Sequence, residues 1–135
     1  MSLSKNRQRI LRHTYEQNRA SALAKQKKLN EQIARLKDAL QQEHDVAKAL
    51  ESKLAKCRSK ETTNGARLAM NALFVENQQR ALLASEEQIS RLKNEIRVHE
   101  EKRERISKLI RSAHQTLTIL DELENMGSAR YLTGR

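Results

Sequence analysis

His13, His44, His99 and His114 are the four imidazoles of a chain of 135 residues. Metal chemistry on a helix needs two such rings one turn apart on the same face, and no pair among them has that spacing. They read instead as solvent-facing or seam residues. Cys57 is the one thiol. It cannot form an intrachain disulfide, which suits a reducing compartment, and a cytoplasmic location is expected. Phosphate chemistry has no better footing, because none of Gly65, Gly127 and Gly134 opens a GxxxxGK loop. No residue qualifies as catalytic, cofactor-binding or metal-ligating. The chain is expected not to be an enzyme, and to have no cofactor and no small-molecule substrate.

Charge is where chemistry is left, and it is unevenly spread. Residues 1–30 carry a formal +7, 31–60 carry +2, 61–90 carry −2, 91–120 carry +4 and 121–135 carry −1, within a net +10. A strongly basic chain selects acidic partners: nucleic acid, anionic lipid or an acidic protein surface. The candidate contacts are Lys5, Arg7, Arg9, Arg12, Arg19, Arg97, Arg103 and Arg105. No aromatic residues interleave with them, which argues against sequence-specific nucleic-acid recognition.

The elements that must carry these residues are legible from composition and spacing. Aromatics are 2% and charged residues 33% of the chain, and Pro is absent. Its common residues are Ala, Leu, Glu, Lys, Arg and Gln, which lose little side-chain entropy in a helix. In the second half, Leu82, Ser85, Ile89, Leu92, Ile96, His99, Arg103, Ile106, Ile110, Ala113, Leu117 and Leu120 step by alternating three and four. That is a coiled-coil seam of a and d positions. It extends back through Gln78, Val75, Asn71 and Leu68. Leu29, Ile33, Leu36, Leu40, Glu43, Ala47, Leu50, Leu54 and Cys57 keep the same step in the first half.

Between the halves, Thr62, Thr63, Asn64 and Gly65 supply turn and helix-capping chemistry. The expectation is an all-α fold, one long antiparallel two-helix coiled-coil hairpin. Helix 1 covers about 4–59, the turn about 60–65, helix 2 about 66–126 and a tail 127–135, with Gly127 ending the second helix in a left-handed cap. Folding about the turn sets Leu50 near Val75, Leu36 near Ile89, Leu29 near Ile96 and Tyr15 near Ile110. Each arm would run roughly 85 Å at 1.5 Å per residue. Arg19, Gln26, His99 and Arg103 at core-facing positions should loosen the half that holds both termini. No apolar run exceeds four residues, so neither a signal peptide nor a membrane span is expected.

Met70, Leu73, Phe74 and Leu83 fall off the seam in the turn-proximal half, where they are expected to form an apolar contact for a partner. The basic opening helix, with Ile10-Leu11-Arg12-His13-Thr14-Tyr15-Glu16-Gln17-Asn18-Arg19-Ala20, resembles that of the FliJ/YscO-like central stalk proteins of flagellar and type III secretion export. Asn64-Gly65 followed by Phe74 adds to the likeness. The resemblance implies a non-enzymatic stalk whose paired terminal helices enter a hexameric secretion ATPase and promote its assembly and activity. Its turn end would reach an export gate protein. Two other readings stand beside it: a basic rod that binds nucleic acid or anionic surfaces by charge alone, and a cytosolic scaffold or chaperone hairpin.

Overall fold

The structure is a computed structural model. It describes the backbone of residues 4–59 and 65–132 and the side chains of residues 4–57 and 71–127. Helix α1 spans Lys5–Ser59 and helix α2 spans Gly65–Leu132. They pack against each other antiparallel as an all-α hairpin, with no strand among the described residues. Of the expected turn at about 60–65, residues 60–64 lie outside the described residues and Gly65 opens α2.

Ser4 starts α1. Its Oγ accepts from the Arg7 amide at 3.2 Å and its carbonyl from the Gln8 amide at 3.0 Å. The side chain thus satisfies one of the amides that a helix start leaves without partners. At the other end, α2 does not stop at Gly127 as the sequence suggested but runs on to Leu132. Gly127 sits in the helix, and a Cβ built on it would meet nothing within 4 Å. A Gly after a periodic segment signals a cap only where the chain beyond it cannot continue the helix. Ser128 to Leu132 contains no Pro to prevent it.

The chain divides into two packed units, residues 1–31 with 100–135 and residues 32–99. In the first, Ala22 and Leu29 of α1 are buried, together with Ala113, Leu117 and Leu120 of α2. In the second, Ile33, Ala47 and Leu54 are buried with Ser85, Leu92 and Ile96. All but Ala22 belong to the expected seam, and Ala22 continues its step between Arg19 and Gln26. Burying such a seam is the driving force that holds the two helices together.

The register differs from the expected one. Leu36 shares a shallow cleft with Glu95 and His99, Gln26 Nε2 donates to Ser107 Oγ at 3.0 Å, and Arg103 Nη1 donates to Asn30 Oδ1 at 3.3 Å. Leu36 was expected beside Ile89, and Leu29 beside Ile96. The observed partners lie about one heptad further along α2. A seam that repeats every seven residues satisfies either alignment, and folding symmetrically about the turn selected the wrong one. The Gln26–Ser107 and Asn30–Arg103 pairs distinguish the two in the first unit. Within residues 32–99, Ser85 is 4% exposed, and its Oγ donates to Glu43 Oε1 at 2.7 Å.

Candidate partner-binding surfaces

The cationic candidates do not form one set. Lys5, Arg7, Arg9, Arg12 and Arg19 of α1 share the first unit with Arg103 and Arg105 of α2, whereas Arg97 belongs to the second. By sequence count, residues 1–31 and 100–135 carry a formal +7 and residues 32–99 carry +3. The imbalance holds without Arg97. Lys5, Arg7, Arg9 and Arg105 are exposed. Arg97 Nη2 donates to Asn94 Oδ1 at 2.9 Å on its own helix.

Arg12 has a different role. Its side chain is 25% exposed, and Nη2 stands 2.6 Å from Asp121 Oδ1 and 2.9 Å from Glu124 Oε2. Nε donates to Glu124 Oε1 at 3.2 Å. The side-chain hydrogen bonds that it donates to Asp121 and then to Glu124 raise the guanidinium above its ordinary pKa. A raised cation keeps its contribution below the unfolded pKa and loses it only as pH climbs through the folded value, far into alkali. Arg12 therefore fastens the ends of the two helices in this unit and is poorly placed to meet an outside partner. The Arg103 guanidinium is similarly engaged with Asn30. Arg19 is half-buried at its seam position.

Lys5 and Arg7 do not serve helix stability. The first turn of α1 holds no acidic residue, yet Lys5 and Arg7 lie in it. Cations there oppose the positive end of the helix dipole, which disfavours them by a few tenths to about 1 kcal/mol each. Residues that break a local rule without an internal gain point to function.

In the other unit, the turn-proximal apolar candidates are exposed but not gathered. Leu73 and Leu83 are each 61% exposed and Phe74 is 43% exposed. Phe74 and Leu83 are nine residues apart, about half a turn around α2 at 3.6 residues per turn, with Leu73 between them. They spread over the outer surface and do not make a single patch. The side chain of Met70 lies outside the described residues.

An apolar face that the sequence reading missed lies in the first unit. Ile119, Leu123 and Met126 are 55%, 41% and 56% exposed. Their spacing of four and three puts them on one side of α2. Leu109, 64% exposed, precedes Leu123 by four turns on that side. It is also on the wall of a groove of about 470 Å³ between α1 and α2, floored by Tyr15, Ala22, Ile106 and Ala113. The signal was present as a second three-four step beside the seam.

Among the described residues no group of three or more His, Cys, Asp or Glu could hold a metal, and no helix is long and apolar enough to cross a membrane. His99 Nδ1 lies 2.8 Å from the Glu95 carbonyl one turn back. No protein-family model, curated protein or solved structure matches the chain.

Proposed function

We propose that the chain is a non-enzymatic central stalk in the cytoplasm. Its paired terminal segments enter a hexameric secretion ATPase, promote assembly and activity of the ring, and leave the turn-proximal half to meet an export gate protein. The observation that carries this reading is the pairing of residues 1–31 with 100–135 in one unit with a formal +7, where Lys5, Arg7, Arg9 and Arg105 are exposed and Lys5 and Arg7 oppose the helix dipole. The ring would supply the chemistry. An asymmetric hairpin contacts each subunit differently, and such differential contacts bias which subunit state is populated.

The test is stoichiometric stimulation of a ring ATPase co-purified from the native host. Arg9→Glu with Arg105→Glu should lower stimulation about tenfold or more, the scale of losing two charged contacts, while circular dichroism stays unchanged. Arg12 is left intact because its loss would loosen the hairpin itself. Full stimulation by the double variant removes the cationic surface from the mechanism. Equal affinity for DNA and for the ring, with a steep fall in salt, would favour binding by charge alone.

A further inference from the structure

We infer that the groove between α1 and α2 in the first unit receives an acidic amphipathic helix of a partner protein, completing a local three-helix bundle. The inference does not rest on the stalk reading: only Arg105 is common to both, and neither it nor any other residue changed in the ATPase test is changed in the test below.

Two helices packed along one seam cover only one stripe of each. Beside that stripe, every residue lining the groove is a d position or falls in the two columns next to it, just before d (c) and three after (g). Across residues 4–31 and 100–127, neither column on either helix contains an Asp or Glu. Instead Lys25 lines the groove, and Lys28, Lys102 and Arg105 continue its exposed edge. None of these four makes an ion pair among the described residues. The unit's carboxylates, including Glu16, Glu104, Asp121 and Glu124, occupy other columns. Apolar side chains fill much of the rest, with Leu109 on the wall and Ile119, Leu123 and Met126 exposed beyond it.

The occupant follows from that chemistry. An apolar concavity between two helices takes the three-four ridge of a third helix. Small residues at Ser21, Ala22, Ser112 and Ala113 leave the space for its side chains. The cationic edge selects carboxylates flanking the ridge, and a face without carboxylates repels none of them. A second copy of this chain is disfavoured because it would bring together two units of formal +7. A lipid surface is flat and would leave the concavity unfilled.

The probe is a synthetic peptide of about three heptads with Leu at a and d and Glu outside, titrated calorimetrically into the full chain at about 0.15 M salt. Saturable one-to-one binding is expected. Leu109→Gln with Ile119→Gln should weaken it about tenfold or more, as should Lys25→Glu with Lys28→Glu. All four positions are exposed, so helicity should be retained. Lys27→Glu with Lys108→Glu makes the same charge change in other columns and should alter affinity less than about twofold. The proposal is overturned if the peptide does not bind, if this control weakens binding as much, or if a peptide with Ser in place of Leu binds equally. It is overturned in favour of a lipid surface if phosphatidylserine vesicles bind more tightly than the peptide and lose binding through the Leu109 and Ile119 changes.

Discussion

Gln78 occupies a seam position in residues 32–99, and its Oε1 is buried without a hydrogen-bond partner among the described residues. A carbonyl oxygen removed from water and left unpaired costs about 1–3 kcal/mol. Gln78→Leu should therefore raise stability by about 1–2 kcal/mol, read as an increase in urea midpoint at constant m-value. A lower midpoint would show that the amide finds a partner in solution. Phe74 in the same unit makes the complementary case, because it is 43% exposed whereas Leu54 is 5% exposed. Phe74→Ala should shift stability by less than about 0.5 kcal/mol, and Leu54→Ala should cost at least about 2 kcal/mol. Equal losses would make Phe74 a core residue and end its candidacy as a partner contact.

At the level of the helices, Gly127 separates an ended α2 from a continuing one. In a helix interior Gly costs roughly 0.5–1 kcal/mol relative to Ala, whereas in a left-handed cap Ala is the costlier residue. With nothing near its missing Cβ, Gly127→Ala should stabilise the hairpin and raise ellipticity. A loss of stability would restore the cap expected from sequence. This position also marks what spacing could reveal. The seam identified Leu29, Ile33, Leu92, Ile96, Leu117 and Leu120 as core because burial follows the three-four step directly. It could not select the register, since alignments seven residues apart bury similar columns. Choosing between them depends on pairs such as Gln26 with Ser107 and Arg12 with Asp121, formed by side chains whose reach no periodicity records. The cationic candidates were individually legible. That Arg12 is held by Asp121 and Glu124, while Arg9 and Arg105 are not, depended on the same unseen register.

For the whole molecule, net +10 makes charge a term in folding as well as in binding. Like charges repel in the folded state, and the residues that carry +7 are confined to residues 1–31 and 100–135. Salt screens exposed charges over about 10 Å at 0.1 M. It also weakens the ion pairs of Arg12, Arg80 with Glu76, and Arg111 with Glu104. Exposed pairs contribute about 0–1 kcal/mol each, and their loss must be set against relief of repulsion among the excess cations. The two effects have opposite signs, and the cation excess decides between them in the more basic unit. Raising salt from about 0.02 to 0.3 M should therefore increase the melting temperature. Amide hydrogen exchange should place more of the gain within residues 4–31 and 100–127 than within 32–99. A melting temperature that falls with salt would mean that the ion pairs outweigh the repulsion, and that the basic surface is already balanced within the chain. An acidic partner would then meet no uncompensated positive charge on this unit.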